Sequence, residues 1–280
     1  MTVTDASSLS QPGGLELMTW SELDGLDAFV TTRAGGVSAG PYESLNLSLS
    51  VGDDPEAVLE NRRRVAAAVG AGLEDFVFTR QVHGAGVRIV GPADRGAGTL
   101  AHDASVPEAD VLVTADPSVV LAILTADCVP IVLHDPQARV LACVHAGWRG
   151  TVARACAAAI AAMGRLGAAP ERIVAGIGPA IGADRYQVGQ DVHQAVTAVF
   201  GPSTERIIRP DGTGRWLLDL PAANRLALRD AGVADGHMHT TQYVTGDGLF
   251  FSDRSARPCG RLALIARLRP GTPTTGGSTR

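Results

Sequence analysis

Two imidazoles and one thiol are the side chains of this sequence with the clearest potential for chemistry. Cys128 follows the apolar run that ends in TAD, and His145 precedes the segment AGWRG. A strand–turn–strand unit over residues 125–150 would bring these two together, and His83 stands at a predicted strand–turn boundary. Two histidines and a cysteine are a known zinc ligand set, and three protein ligands leave a fourth position for water or substrate. The trio therefore predicts a catalytic site in which a bound metal would activate water at neutral pH.

The residues alone leave other roles open for the same side chains. Their separations match no compact zinc motif, and a buried cysteine with two turn histidines would show the same pattern. Cys128 could also act as a nucleophile with His145 as its base. Cys143 shares a strand face with His145, and as a fourth ligand it would make the site structural. Asp127 could orient a metal ligand from outside the ligand set.

The composition excludes several classes of protein. The 280 residues, 45% of them hydrophobic, are enough for a sizeable core. A net charge of −5 offers no basic stripe for nucleic acid. The chain has no apolar run of the length of a membrane span, about 18 residues, and no signal peptide at its start. We therefore expect a cytoplasmic protein with neither nucleic-acid nor membrane partners.

Cysteine and arginine usage limit the chemistry further. Four cysteines in a chain of this length do not make a disulfide framework. All 24 basic residues are arginine, because the sequence contains no lysine. A phosphate contact must therefore use arginine, a hydroxyl group or a backbone N–H group.

Alternating strands and helices are predicted to position these residues. The predicted strands cover residues 26–36, 75–84, 86–91, 110–115, 119–126, 129–135, 139–146 and 171–181, and the predicted helices cover residues 53–72, 150–167, 189–201 and 219–233. Residues 75–84 and 86–91 would form a hairpin that carries His83 near its turn. Many strands joined by short turns favour a mixed-sheet α/β fold. We expect one catalytic domain over residues 15–269, with disordered ends at residues 1–14 and 270–280.

Five segments in order resemble one known family. They are FTRQVHG, ADVLVT, TADCVPIVLHD, VHAGWRGT and GIGPAIG. Together they are similar to the YfiH-type family, which is also described as the laccase-domain or polyphenol oxidase family, as purine nucleoside phosphorylases, and as the peptidoglycan editing factor. The resemblance extends from TTRAGGVSAGPYESLNLS to FFSDR and so covers nearly the whole chain.

The resemblance implies a fold and a set of metal ligands. The implied fold is a single-domain, mixed-sheet α/β sandwich, distantly related to toxin-type cysteine hydrolases. The implied ligands are the histidine of QVHG, the cysteine of ADC and the histidine of VHAGW. In this sequence those residues are His83, Cys128 and His145.

Substrate contacts are implied at individual positions. The resemblance places an arginine and an asparagine near the substrate, here Arg33 and Asn46. Arg149 is a further candidate for binding an anion, since the planar guanidinium fork suits pairs of oxygen atoms. The sequence departs from the family pattern at Ala183–Arg185, where a cysteine is usual, and at Thr241 and Asp253. These departures bear on substrate preference.

The function implied by the resemblance is that of a zinc-dependent purine nucleoside enzyme. Its reactions would be phosphorolysis of adenosine, inosine or methylthioadenosine and deamination of adenosine, so its partners would be purine nucleosides and phosphate. The aromatic content of 4% leaves Tyr186, Phe250 and Phe251 as candidates for stacking on the base.

Three other functions stay open beside the nucleoside enzyme. A copper-dependent polyphenol oxidase would need several copper centres, for which seven histidines are few. An editing amidase would act on UDP-muramyl-amino acids in peptidoglycan synthesis. A zinc-stabilised binding module would need a fourth protein ligand.

Overall fold

The computed structural model describes residues 7–270, whose strands form two six-stranded sheets and two smaller ones. The strands are β1 Ser7–Ser10, β2 Leu17–Trp20, β3 Leu26–Thr31, β4 Phe76–Phe78, β5 Val87–Ile89, β6 Val111–Thr114, β7 Val120–Thr125, β8 Val129–Asp135, β9 Val140–Ala146, β10 Val174–Ile177, β11 Ala180–Ile181, β12 Gln187–Val188, β13 Ile208–Pro210, β14 Trp216–Leu218, β15 Met238–Thr240, β16 Val244–Thr245 and β17 Leu262–Leu268. The helices are α1 Pro55–Ala68, α2 Trp148–Val152, α3 Ala155–Gly164, α4 Gln190–Phe200 and α5 Leu220–Asp230.

The two large sheets confirm the predicted mixed-sheet α/β fold. Sheet 1 has the strand order β1–β2–β3–β17–β7–β4, and sheet 2 has the order β15–β10–β8–β9–β6–β5. The pairs β4–β7 and β5–β6 are parallel, whereas β8–β9 and β3–β17 are antiparallel. Antiparallel neighbours need only short turns, which is why the closely spaced strands of the sequence fold this way.

Alternation along the strands explains how the layers stack. On β9, Leu141 and Cys143 face the core between the two sheets, whereas Val140, Ala142 and Val144 face the helices. The alanine-rich helix α3 packs on this outer face of sheet 2, and α1 covers the outer face of sheet 1. The fold is therefore a pair of stacked sheets with helices on both outer sides.

The predicted hairpin over residues 75–91 is wrong. The strand β4 pairs in parallel with β7 of sheet 1, and β5 pairs in parallel with β6 of sheet 2. Strands joined by a short loop usually pair with each other, but here each finds a parallel partner in a different sheet. The loop that carries His83 therefore crosses from one sheet to the other.

The single helix predicted over residues 150–167 is two helices. Arg154 adopts a left-handed conformation, with φ 62° and ψ 41°, between the end of α2 and the start of α3. A residue in this conformation cannot continue a right-handed helix, so the chain changes direction there. The helix predicted over residues 53–72 is confirmed as α1, with the Asp54 side chain accepting a hydrogen bond from the Glu56 N–H group.

Residues 7–14, for which the sequence predicts disorder, include a strand in the structure. Residues 7–10 form β1, which pairs with β2, and the Ser7 hydroxyl lies 2.8 Å from that of Thr241. Backbone pairing at the sheet edge orders this serine-rich segment although it buries little apolar surface. The disorder predicted for residues 1–6 and 271–280 lies outside the described residues, and the single domain over residues 15–269 stays a prediction. In the described part of the chain, no helix has the length and apolar character needed to span a membrane.

A buried arginine on α1 ties together the loop after β3 of sheet 1 and the loop between β5 and β6 of sheet 2. Arg62 is 4% exposed, and its guanidinium donates hydrogen bonds to the carbonyl groups of Leu47, Gly98 and Thr99. The same guanidinium lies 3.9 Å from the centre of the Phe78 ring. Burial lowers the pKa of Arg62 to about 9. Arg62 therefore fixes the course of both loops.

We expect the free energy of unfolding of the Arg62→Met variant to be about 3 kcal/mol lower than that of the wild type, because three buried carbonyl groups lose their hydrogen-bond donors. Denaturant unfolding followed by circular dichroism would measure the difference. The matched control is Arg63→Met, since the Arg63 side chain is 53% exposed and its loss should cost about 0.5 kcal/mol or less. Equal losses in the two variants would contradict this role for Arg62.

Candidate metal centre

The candidate site lies at the end of the sandwich where the chain passes from one sheet to the other. His83 belongs to the loop between β4 of sheet 1 and β5 of sheet 2, and Cys128 belongs to the short turn between β7 and β8. His145 is the penultimate residue of β9 and pairs in register with Pro130 of β8. The β4–β5 loop, the β7–β8 turn and the end of β9 thus bring the three side chains close together.

The three predicted ligands converge. One ligand atom from each of His83, Cys128 and His145 lies within 4.8 Å of the other two. The two imidazole rings are 4.8 Å apart between centres and inclined by 77°. Such separations are close enough for a single ion between the three groups, since zinc–nitrogen and zinc–sulfur bonds are about 2.0–2.3 Å long. The structure therefore brings the three predicted ligands together, and metal binding by them stays a prediction.

The buried carboxylate of Asp110 organises two of the three ligands. It lies 2.8 Å from Nδ1 of His145, and it accepts hydrogen bonds from the backbone N–H groups of Val82, His83 and Gly84. Burial would raise the pKa of Asp110, but hydrogen bonds from His145 and the backbone bring it below its usual value. Because Nδ1 of His145 faces a carboxylate, Nε2 is the nitrogen left to bind a metal.

Without a metal, the thiol and the buried imidazole form an ion pair. Burial would raise the pKa of Cys128, but the charge of His145 and hydrogen bonds from both histidines lower it to about 6. Burial would lower the pKa of His145, but the charge of Cys128 and the bond to Asp110 raise it to about 9. The site therefore favours the thiolate, which is the form that binds metals.

The backbone around the trio leaves room for an ion. His83 has φ 60° and Asp127 has φ 96°, both in the left-handed region that non-glycine residues rarely adopt. Gly147 follows the last residue of β9, and a Cβ atom there would lie 2.7 Å from Sγ of Cys128 and 3.3 Å from the His83 ring. A side chain at this position would fill the space beside the thiol. The donor set and this open cradle both fit a bound zinc or copper ion.

A cavity of about 560 Å³ opens in front of the trio. It has a polar wall that includes four arginines and two aromatic rings in addition to the three ligands. Its lining includes Ser48, Ser50, Gln81, His102, Asp127, Trp148, Arg149, Tyr186, Asp253, Arg254, Arg257 and Arg261. The volume suits a small-molecule ligand.

Asp127 and Cys143 do not take the roles considered for them, orienting a metal ligand and serving as a fourth ligand. The Asp127 carboxylate accepts hydrogen bonds from the Thr245 hydroxyl and the Arg254 backbone N–H group, so Asp110 holds the position that was predicted for Asp127. Cys143 shares a face with His145 but is fully buried between the sheets. Burial raises the pKa of its thiol, which makes it a packing residue.

The predicted substrate contacts divide into one residue in the cavity and two outside its lining. Arg149 lines the cavity. The Arg33 guanidinium donates two hydrogen bonds to the Glu43 carbonyl group and lies 4.9 Å from the centre of the Phe251 ring. Asn46 is fully buried and accepts hydrogen bonds from the backbone N–H groups of Ser48 and Arg261. Asn46 thus supports the cavity wall from behind, and direct binding by Arg33 or Asn46 stays a prediction.

The aromatic side chains near the cavity differ from those predicted. Tyr186 lines it, whereas Phe250 and Phe251 are buried in the core between the sheets. Trp148, which the sequence analysis did not consider for stacking, is the second aromatic ring of the lining. The residues Tyr186 and Trp148 are therefore the available partners for a planar base.

Sequence reasoning missed two residues that position His83. Asp110 was read only as the start of a strand, although a charged residue directly before a buried strand was a signal. Gln81 was not considered; its side chain donates to the Leu124 carbonyl group and accepts from the Leu124 N–H group. Together they hold the crossing loop against both sheets.

Comparison with known proteins places this site in a family. Residues 27–269 match the family described as multi-copper polyphenol oxidoreductase laccase. A purine nucleoside phosphorylase from Deinococcus radiodurans is 46% identical over 275 residues, which cover 95% of this chain and 96% of the relative. The adenosine deaminase RL5, from an unknown prokaryotic organism, is 38% identical and covers 80% of this chain and 85% of its own length.

Solved structures agree with the sequence comparison. The crystal structure of YlmD from Geobacillus stearothermophilus has a TM-score of 0.90 and 36% identity, and the match covers 95% of this chain and 100% of that one. The crystal structure of YfiH from Bacillus licheniformis has a TM-score of 0.88 and 32% identity, covering 90% and 96%. With the family match spanning most of its length and these relatives aligned along it, the chain belongs to the laccase-domain family of YfiH and YlmD.

Proposed function

We propose that this protein is a zinc-dependent purine nucleoside enzyme that cleaves adenosine, inosine or methylthioadenosine with phosphate and also deaminates adenosine. The observation that carries the proposal is the His83–Cys128–His145 trio at the wall of a nucleoside-sized cavity rich in arginine. Relatives named for both activities support it. A single cavity would serve one substrate class through two reactions.

The trio would hold the metal through Nε2 of His145, one ring nitrogen of His83 and the Cys128 thiolate. When bound, zinc supplies Lewis acidity and a nucleophile at neutral pH. Asp110 keeps the His145 ring oriented, and Gly147 leaves space beside the thiolate. The protein thus contributes a fixed ligand geometry with one open side.

The aromatic and cationic groups would position the substrate. The rings of Trp148 and Tyr186 offer flat surfaces for the purine. Burial and the charge of Cys128 raise the pKa of Tyr186 to about 12, so its hydroxyl keeps its proton and can donate a hydrogen bond. In phosphorolysis a phosphate oxygen bonds to the anomeric carbon while the glycosidic C–N bond breaks and the purine leaves with the electron pair. Positioning and charge stabilisation by the cavity wall would lower this barrier.

The alternatives make different demands on the site. Multicopper oxidation needs several copper centres, whereas within residues 7–270 one cluster of three histidine, cysteine or acidic side chains has ligand spacing. Amide hydrolysis of a UDP-muramyl-amino acid would use the same trio. That reaction is therefore the alternative to be tested beside nucleoside turnover.

The first experiment incubates zinc-loaded protein with adenosine, with and without phosphate, and separates the products by chromatography. We expect adenine only when phosphate is present, and inosine in both cases. Cys128→Ala should lower both rates at least about 100-fold, the scale for losing a main electrostatic group. Cys156→Ala, which removes a thiol buried on α3, is the matched control. Release of an amino acid from a UDP-muramyl-amino acid with no nucleoside conversion would replace the proposal with the amidase.

A second prediction concerns Asp110. Asp110→Asn should weaken zinc binding about 10- to 100-fold, because the neutral amide no longer fixes and polarises the His145 ring. Competition with a chromophoric chelator would measure the affinity, and thermal unfolding of the metal-free variant would show whether the fold survives. Asp116→Asn, at an exposed turn, is the control. Unchanged zinc affinity in a folded Asp110→Asn protein would remove Asp110 from the site.

A third prediction follows from the pKa of Cys128, which lies at about 6 in the metal-free site. Since the thiolate is the reactive form, alkylation of Cys128 should be fast above pH 7 and should slow as the pH falls through about 6. Iodoacetamide labelling followed by peptide mass spectrometry would give the rate, with Cys143 and Cys156 as buried internal controls. Zinc should protect Cys128. A rate that keeps rising up to pH 9 would show an ordinary thiol.

A further inference from the structure

The four arginines of the cavity fall into two pairs with different surroundings. Asp253 holds the first pair: its carboxylate lies 2.5 Å from Nη2 of Arg257 and 3.0 Å from Nη2 of Arg261. A single carboxylate thus occupies part of both guanidinium forks. Its charge offsets half of their combined charge, so this pair attracts a further anion less strongly.

The second pair, Arg149 and Arg254, has aromatic rather than acidic neighbours. The Arg149 guanidinium carbon lies 4.4 Å from the centre of the Trp148 ring, and that of Arg254 lies 5.2 Å from the centre of the Tyr186 ring. Among the salt bridges of residues 7–270, none involves either arginine, in contrast to the first pair. The Arg254 Nη1 atom also donates a 3.0 Å hydrogen bond to the Gln187 carbonyl group. Stacking on a ring orients a guanidinium, and the remaining N–H groups of the two arginines are available for an oxygen ligand.

Both arginines of the second pair are tied to the segments that carry the metal ligands. Arg149 stands in α2, which begins directly after Gly147 at the end of β9. The Arg254 backbone N–H group donates a 2.7 Å hydrogen bond to Asp127, the neighbour of Cys128. The charges of both guanidinium groups also act on the Tyr186 hydroxyl. Both arginines therefore line the same cavity as the trio, and Arg254 lies against the Tyr186 ring.

We propose that Arg149 and Arg254 form the binding site for inorganic phosphate, and that Asp253 keeps Arg257 and Arg261 from competing for it. The proposal rests on the proposed function, in which phosphate is the co-substrate. Arginine forks bind the paired oxygens of a phosphate, and a chain without lysine has no other long cationic side chain for this task. Phosphate in this place would occupy the same cavity as the metal ligands.

The test measures binding of inorganic phosphate to the zinc-loaded protein by calorimetry, with no nucleoside present. Arg149→Gln and Arg254→Gln should each weaken binding about 10-fold or more, the scale for a lost charge-assisted hydrogen bond. Arg257→Gln should change it less than about fivefold, as expected for a charge already paired in solvent. Asp253→Asn should tighten binding, because it releases two guanidinium forks. Arg88→Gln, on an exposed part of β5, is the control for overall charge.

Several results would overturn the proposal. An absence of phosphate binding would do so, and so would a larger loss of affinity in Arg257→Gln than in Arg254→Gln. Phosphate binding that survives in Arg149→Gln and Arg254→Gln but disappears in Cys128→Ala would place phosphate on the metal. Adenosine 5′-monophosphate serves as a second ligand; if it binds through Arg254 while inorganic phosphate does not, the site belongs to a nucleotide. Phosphate binding of the expected pattern without nucleoside turnover would support this site and refute the proposed function.

Discussion

The hydrogen bonds of Asp110 are the constraint on which the candidate site depends. Its carboxylate accepts hydrogen bonds from three consecutive backbone N–H groups of the His83 loop and faces the His145 ring. The backbone carbonyl group of Asp110 accepts a further hydrogen bond from the backbone N–H group of His145. A buried carboxylate is costly without such partners. The loop and the strand therefore have a strong reason to meet at Asp110, and the ligands they carry meet with them.

The position of the site between the sheets follows from the same connections. The crossing loop leaves sheet 1 after β4 and enters sheet 2 at β5, and Gln81 fastens it to Leu124 on β7 while Asp110 fastens it beside β6. Because Leu124 lies in β7 and Asp110 directly precedes β6, the loop is anchored at strands whose side chains are mostly buried. His83 on this loop and Asp127 in the turn between β7 and β8 adopt unfavourable left-handed conformations, which the surrounding hydrogen bonds offset.

The family resemblance in the sequence predicted which three side chains come together, but not which residues orient them. The strands over residues 110–146 were predictable because short apolar runs alternate with turn residues, and their order alone places Cys128 near His145. The hairpin was mispredicted because pattern reasoning sees the two strands but not their parallel partners, which are set by tertiary packing. The roles of Asp110 and β1 were missed for the same reason. The Asp110 carboxylate gains its role from the His145 ring, and the serine-rich β1 gains its order from pairing with β2.

Arginine serves three purposes in this lysine-free chain, and the neighbours of each guanidinium decide which. Arg62 is surrounded by carbonyl groups and an aromatic ring, so it acts as a structural connector, and burial lowers its pKa. Arg257 and Arg261 face a carboxylate, which offsets part of their charge. Arg149 and Arg254 rest on rings, which orient a cation without neutralising it. A cation kept in place but uncompensated, next to metal ligands, is in the state that a phosphate anion stabilises most.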